Sequence, residues 1–256
     1  MMSRCKIIFV MIAVCTITAC VTTSDTRRDT SSPEEAARVN FQLGVEYFRK
    51  GKLSLAHEKL TRSVSQDSSQ AQPHAFLALV SEQLNLMEDA QHHYRTALRI
   101  NASDPAVQNM YGAFLCRAGN SREAEDYFLR AANNRFYSTP EAAFTNAGSC
   151  ALKVDDAVKA EGYLRKALQL NPQYPLALWH MANLNYQQNR DLQARAFLNR
   201  IGTAEALPPE ALLLGYRIAS RSGDARDASR YSEELKQRYP ESPETTALLE
   251  VEKDGR

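Results

Sequence analysis

The chain has 256 residues, which is enough for one large domain or two small ones. Its 31 Lys and Arg residues balance 30 Asp and Glu residues, so no basic excess indicates nucleic acid as a partner. Only 10 Gly and 10 Pro residues occur, and this composition favours an all-α fold.

The first twenty residues have the composition of an export signal. Arg4 and Lys6 form a basic start, and residues 7–17 are apolar apart from one Thr. A run of about eleven residues is too short to span a bilayer permanently, but it suits the central part of a signal peptide. The run leads to Ala19 and Cys20. A small residue directly before Cys at this point resembles the lipobox of bacterial lipoproteins.

The lipobox resemblance implies that residues 1–19 are a lipoprotein signal peptide and that Cys20 carries the lipid. Val21 rather than Asp follows Cys20, which implies an outer-membrane lipoprotein, anchored by its lipid on the periplasmic face. An ordinary signal peptide with an incidental cysteine is the alternative. In the body of the chain Cys116 and Cys150 both fall inside helical patterns. We expect two buried thiols, although an exported protein can also form a disulfide.

Residues 20–33 are predicted to form a flexible tether between the lipid and the folded body. The stretch VTTSDTRRDTSS that follows the lipid-bearing cysteine is polar, and Val21 is its only apolar residue. A helix is predicted to start directly afterwards, because Ser32 can cap it and Pro33 suits its first position. Glu35 would complete a capping box with Ser32.

From residue 37 onward the sequence repeats with a period of 34 residues. The pattern resembles the tetratricopeptide repeat, in which small residues at fixed positions let two helices approach and large residues fill the gaps. The first unit supplies Leu43, Gly44, Tyr47, Ala56 and Leu60 at the expected positions. We predict a six-repeat domain over residues 34–242, with units at 37–70, 71–104, 105–140, 141–174, 175–208 and 209–242, followed by a capping helix and tail over 243–256.

Each unit is predicted to be two antiparallel helices joined by a tight turn, and stacked units form a right-handed superhelix, or α-solenoid. Gly51, Gly119 and Gly223 lie at such turns, where the left-handed backbone conformation favours Gly or Asn. The sixth unit departs from the pattern, because Gly215 and Tyr216 are shifted by one residue. A plain helical bundle is the alternative fold.

No catalytic constellation stands out in the sequence. It contains no Gly-rich phosphate loop, no HExxH and no GxSxG motif. His92 and His93 are adjacent, so on a helix they point in different directions, which argues against a metal pair. Cys116 has no His at a corresponding position of a neighbouring unit, which argues against a nucleophile. We therefore predict a binding scaffold rather than an enzyme, with no cofactor, metal or small-molecule substrate.

The first helices of such units line a concave groove. On the first of them Phe41, Val45 and Phe48 form an apolar stripe, while Leu43 and Tyr47 are expected to occupy the core positions. We predict that this stripe binds a partner; the alternative is that the N-terminal segment or the second repeat covers it. Further predicted groove residues are Leu79, Asn109, Trp179 and Tyr186, the last two as a pair of aromatic anchors.

The order of lipobox, polar tether and six repeats resembles the type IV pilus biogenesis lipoproteins of the PilF/PilW family. The resemblance covers residues 20–242 and includes the stretches NMYGAFLC (109–116), FTNAGSCALK (144–153) and LALWHMANLNY (176–186). It implies a pilotin, a lipoprotein that helps the pilus secretin reach the outer membrane and assemble into its multimer. The implied partners are the secretin and, through the lipid, the membrane. A generic lipoprotein adaptor for another periplasmic or envelope assembly is the alternative.

Overall fold

The computed structural model describes residues 32–254, so Cys20, the predicted signal peptide and most of the tether lie outside the described residues. This part of the chain contains no β-strand, and none of its helices is both long and apolar enough to cross a membrane. The helices are α1 (Pro33–Arg49), α2 (Leu53–Gln66), α3 (Ala71–Gln83), α4 (Met87–Ile100), α5 (Pro105–Arg117), α6 (Ser121–Ala132), α7 (Pro140–Leu152), α8 (Ala157–Leu170), α9 (Pro175–Gln187), α10 (Asp191–Ile201), α11 (Pro209–Arg221), α12 (Ala225–Arg238) and α13 (Pro243–Asp254), with a 3-10 turn at Ala204–Ala206.

Six helix pairs, from α1–α2 to α11–α12, pack as hairpins. The first helix of each hairpin also contacts the first helix of the next hairpin. Within residues 32–254 the second helices do not contact one another to a comparable extent. The stack therefore curves, with the first helices on its inner, concave side. This arrangement confirms the predicted all-α solenoid of tetratricopeptide repeats.

Each hairpin turn requires one residue in the left-handed backbone conformation. Gly carries no steric cost there, and Asn and Asp tolerate it because their short polar side chains can hydrogen-bond locally. The residues at the six turns are Gly51, Asn85, Gly119, Asp155, Asn189 and Gly223, with φ between 57° and 85°. The left-handed glycines predicted from the sequence are confirmed, and Asn or Asp takes the same role in the other three hairpins.

A glycine in the middle of the first helix allows the two helices of a hairpin to approach closely. A Cβ atom on Gly148 would lie 2.8 Å from Cγ of Leu164, which shows how little space separates α7 from α8 at this point. Gly215 faces Tyr231 across the sixth hairpin in the same way. Gly148 and Leu164 are 16 residues apart, and so are Gly215 and Tyr231. Gly215 therefore occupies the repeat position of Gly148, and the sixth unit begins one residue before Pro209.

The start of α1 follows the prediction, but its outer face does not. The side chain of Ser32 accepts a hydrogen bond from the backbone N–H of Glu35, as predicted. The carboxylate of Glu35 instead pairs with Arg38. Val39 and Leu43 are each 41% exposed, because among the described residues no helix precedes α1 to cover the side that later first helices bury. The expectation that Leu43 fills a core position is therefore wrong.

Helix α13 caps the other end of the stack. It packs against α11 and α12 and buries Leu248. The next residue, Leu249, is 43% exposed. It stands one repeat length after Gly215, at the position where the other first helices carry Gly or Ala. The small residue that allows close approach of a second helix in the hairpins is thus absent from α13.

Cys116 on α5 and Cys150 on α7 form a disulfide, with 5.8 Å between their Cα atoms. The prediction of two buried thiols is therefore wrong, although both residues are buried. The two cysteines are separated by 34 residues, whereas the two-residue insertion makes the third unit 36 residues long, so they do not occupy equivalent repeat positions. Because α5 and α7 contact each other as inner helices of neighbouring hairpins, the two side chains still come within disulfide range. The bond ties the third hairpin to the fourth.

Candidate functional site

The predicted apolar stripe on α1 is only partly open. Phe41, Val45 and Phe48 are all half-buried. The ring of Phe41 meets that of Phe76 on α3 edge-on, with 5.5 Å between ring centroids. Phe41 and Phe48 also pack against the core around Leu60. The second repeat therefore covers part of the stripe, as the alternative interpretation expected, and only a minor part of each side chain faces solvent.

A cavity of about 770 Å³ opens beside Phe41, between the N-terminal ends of α1, α3 and α5. Its apolar wall is formed by Phe41 and Ile100, and its rim carries more carboxylates than cations. Hydrogen bonds from Ser69 hold the pKa of the Asp67 carboxyl below its ordinary value, so this group is ionised at neutral pH. The charged residues that line the cavity are Glu34, Arg38, Asp67 and Asp104. We refer to this feature as the N-terminal cavity.

Leu79 lines a second cavity, of about 660 Å³, between α3 and α5. Met87 and Phe114 contribute the rest of its apolar surface. At its edge Arg117 pairs with the buried carboxylate of Glu82, with 2.7 Å between Nη2 and Oε2. The guanidinium of Arg117 is already paired with this carboxylate, so the second cavity offers a partner apolar contact rather than an unpaired cation.

Asn109 takes part in a chain of hydrogen bonds on the concave side. Its Nδ2 donates to the hydroxyl of Tyr137 at 3.1 Å, and its Oδ1 accepts from Nδ2 of Asn146 at 2.9 Å. Sequence reasoning identified Asn109 but missed both partners. Tyr137 lies in the two-residue insertion between the third and fourth units, and that insertion was the available signal for a special contact.

Trp179 and Tyr186 both pack against the core of the last two hairpins. The ring of Trp179 lies edge-on to His180 at 4.7 Å, and its indole N–H is buried without a hydrogen-bond partner among the described residues. The guanidinium of Arg221 lies 3.8 Å from the Tyr186 ring centroid, and it also donates to the Tyr186 carbonyl oxygen. Both aromatic residues thus have packing roles, and their use as partner anchors stays a prediction.

His74 on α3 and His93 on α4 form a hydrogen-bonded pair with 3.0 Å between their Nδ1 atoms. Nε2–H of His74 donates to the carbonyl oxygen of Ser68, so Nδ1 of His74 accepts a hydrogen bond that Nδ1–H of His93 donates. Burial lowers the pKa of both side chains, and the neighbouring His92 contributes to both shifts. Burial together with the charges of His74 and His92 lowers the pKa of His93 to about 4. Within residues 32–254 no group of three or more metal-ligating side chains is placed to hold a metal ion.

We expect the folded chain to lose stability as the pH falls from about 6.5 to about 4. A histidine in the unfolded chain becomes protonated near pH 6.5, whereas His93 in the folded chain stays neutral until about pH 4. Between these two pH values the unfolded state binds more protons, so a falling pH favours unfolding. Urea unfolding at about pH 7.5 and about pH 5 measures the loss, which should shrink in a His74→Gln/His93→Gln variant. Asn199→Gln, at an exposed position of the outer helix α10, is the control. An undiminished loss in the double variant would contradict the prediction.

The chain is similar in sequence and in structure to known tetratricopeptide-repeat proteins. A family model for the tetratricopeptide repeat matches residues 151–215. The type IV pilus assembly protein PilF of Pseudomonas aeruginosa is 30% identical over 230 residues, which cover 89% of this chain and 91% of the relative. The solved structure of Pseudomonas aeruginosa PilF superposes with a TM-score of 0.73 at 29% identity, covering 86% of this chain and all of that one.

A second solved structure agrees with the first. PilW, described as a widely conserved type IV pilus biogenesis factor, gives a TM-score of 0.75 at 29% identity, with 83% of this chain and 98% of that chain covered. Both similarities extend over nearly the whole stack rather than over a few generic repeats. The chain therefore belongs to the PilF/PilW family of tetratricopeptide-repeat proteins of type IV pilus biogenesis.

Proposed function

We propose that this protein is a pilotin, an outer-membrane lipoprotein scaffold that assists localisation of the type IV pilus secretin and assembly of its multimer. The observation that carries the proposal is the 30% identity to a type IV pilus assembly protein over 89% of the chain. The stack of hairpins supports a binding role rather than an enzymatic one, because its concave side offers extended surface for a protein partner.

The position of the first hairpin supports this proposal. Only eleven residues separate Cys20 from Ser32, where the described structure begins. Fully extended, such a segment reaches at most about 40 Å. A lipid on Cys20 would therefore hold the N-terminal cavity close to the membrane surface, where a secretin subunit arrives. One acyl chain binds a membrane weakly, so stable anchoring requires several chains.

The chemistry of the N-terminal cavity defines the segment that it would bind. The exposed part of Phe41 and the neighbouring Ile100 offer apolar contact, while Glu34, Asp67 and Asp104 make the rim acidic. A secretin segment that combines apolar with basic side chains would match both features. An acidic segment would meet like charges at the rim and is disfavoured.

Deletion of the gene tests the function directly. We expect the deletion strain to lose secretin multimers and twitching motility, and the wild-type gene to restore both. A Cys20→Ser variant should leave the secretin outside the outer membrane fraction, because the scaffold then lacks its lipid. Intact multimers in the deletion strain would reject the pilotin and favour an adaptor for another envelope assembly.

A substitution on the apolar stripe tests the binding surface. We expect Phe48→Glu to weaken secretin binding by about tenfold or more, because a carboxylate would be forced into an apolar contact. Pull-down of the secretin from detergent-solubilised outer membrane, with circular dichroism of the purified variant, measures both binding and folding. Leu192→Glu is the matched control, because Leu192 is 81% exposed on the outer helix α10. Loss of helicity in Phe48→Glu would show that its packing against the Leu60 core, rather than contact with the partner, accounts for the loss of binding.

A further inference from the structure

The two connections that lead into α7 and α9 carry exposed aromatic and aliphatic side chains. Phe136, in the loop between α6 and α7, is 78% exposed. Leu170 at the end of α8 and Leu176 at the start of α9 are also exposed. Tyr137 and Tyr174 link the two connections, because both are partly buried and pack against the same core cluster. We refer to these five residues as the edge patch.

The loop that presents Phe136 is fixed by hydrogen bonds. The backbone N–H of Phe136 donates to Oδ1 of Asn134 at 3.0 Å, and Nδ2 of Asn134 donates to the carbonyl oxygen of Ser103 at 3.2 Å. The guanidinium of Arg135 lies 4.6 Å from the centroid of the Phe136 ring. A side chain on a loop held in this way loses little conformational entropy when another surface covers it. Single exposed apolar residues are common, but a group of five on fixed backbone indicates an interaction surface.

The edge patch lies on the edge of the stack at which the chain enters it. Each hairpin returns the chain to its starting edge, so all inner helices begin there, and the N-terminal cavity brings the starts of α1, α3 and α5 together on this edge. The tether joins α1 at Ser32 on the same edge. Three steps of about 8–10 Å between inner helices place α7 about 24–30 Å from α1, within the reach of about 40 Å of the segment after Cys20. A lipid on Cys20 and the edge patch can therefore meet the same bilayer.

The charges of the connections indicate which part of this edge suits a phospholipid surface. Among the six connections that lead into α3, α5, α7, α9, α11 and α13, only those before α7 and α9 contain no acidic residue. Their one charged residue is Arg135. The carboxylate nearest to Phe136 in sequence is that of Glu141, which is partly buried. Anionic headgroups attract a guanidinium, and Phe and Tyr side chains suit the boundary between headgroups and acyl chains.

We infer that the edge patch is a second membrane contact, which docks the middle hairpins on the phospholipid surface that holds the lipid of Cys20. This inference rests on the lipid anchor of the proposed function and does not depend on the secretin. The carboxylates at the rim of the N-terminal cavity are repelled by the same anionic surface, so the first hairpin is tilted away from the bilayer. The N-terminal cavity thus stays open to a partner while the stack is held in one orientation.

Fluorescence quenching by the acyl chains tests this contact. The lipidated full chain is reconstituted into vesicles of phosphatidylethanolamine with about a quarter phosphatidylglycerol, whose acyl chains carry bromine as the quencher. A fluorophore attached to a Gln173→Cys variant reports on the exposed loop before α9, and one attached to a Gln193→Cys variant, exposed near the opposite edge, is the matched control. We expect the label at position 173 to be quenched about fivefold more strongly than the control label.

Substitutions in the edge patch separate docking from mere proximity to the anchored lipid. Phe136→Ser/Leu176→Ser should reduce quenching of the label at position 173 to the level of the control, with unchanged circular dichroism, because serine gains nothing from contact with acyl chains. Phe136→Trp should preserve the quenching. Equal quenching of both labels without these substitutions, or undiminished quenching in the double variant, would overturn the inference and leave the pilotin proposal intact. Mass spectrometry of the purified chain identifies the lipid first, and an unmodified Cys20 would overturn this inference together with the proposed anchor.

Discussion

Loss of the Cys116–Cys150 disulfide is expected to lower the free energy of unfolding by about 4 kcal/mol. The bond closes a loop of 34 residues that contains the second helix of the third hairpin. Cross-linking the ends of such a loop removes conformations from the unfolded chain, and the size of this effect grows slowly with loop length.

Urea unfolding with and without dithiothreitol measures the contribution of the disulfide. The Cys116→Ala/Cys150→Ala variant should unfold at the urea concentration of the reduced wild type and should not respond to the reductant. Hydrogen exchange should show the largest gain of exchange in α5, α6 and α7, because these helices lie within or beside the closed loop. Equal midpoints for the oxidised and reduced wild type would show that helix packing alone fixes the two hairpins.

The repeat made the fold predictable from sequence, because local chemistry recurs in every unit. The turn glycines Gly51, Gly119 and Gly223 could be assigned from one conformational rule, and the structure gives each a positive φ. The Ser32 cap likewise depends only on neighbouring residues. Such features are encoded within a few positions of the chain, so they do not require knowledge of how the units stack.

Features that depend on contacts between units were harder to predict. Leu43 fits the core pattern, yet it is exposed because no helix precedes the first hairpin among the described residues. The predicted export left pairing of the two cysteines open, and thiols were expected, since their distance depends on how two inner helices approach. The groove was predicted from repeat positions alone, and those positions could not show that Phe76 would cover part of Phe41.

The close approach of the two helices in a hairpin predicts opposite effects for two glycines on neighbouring helices. Gly148→Val is expected to lower the free energy of unfolding by about 3 kcal/mol, at the upper end of what overpacking costs. A Cβ atom at this position would lie 2.8 Å from Cγ of Leu164 and 3.2 Å from the carbonyl oxygen of Ala160. Leu164 is fully buried and cannot move aside, so α7 and α8 must separate.

Gly162→Ala provides the matched control within the same hairpin. Gly162 lies inside α8, and a Cβ atom there would meet nothing within 4 Å. The substitution should therefore stabilise the chain by about 1 kcal/mol, because alanine loses less backbone entropy in a helix than glycine does.

The second and fifth hairpins carry Ala78 and Ala182 at the position equivalent to Gly148. The repeat therefore accommodates a single methyl group at this position in two other hairpins, and Gly148→Ala should cost less than Gly148→Val. Urea unfolding of the three variants orders them, and small-angle scattering reports whether wider hairpin spacing changes the curvature of the stack. A Gly148→Val protein as stable as the wild type would show that hairpin spacing adapts freely, and that the small residues in the repeat do not set the shape of the concave side.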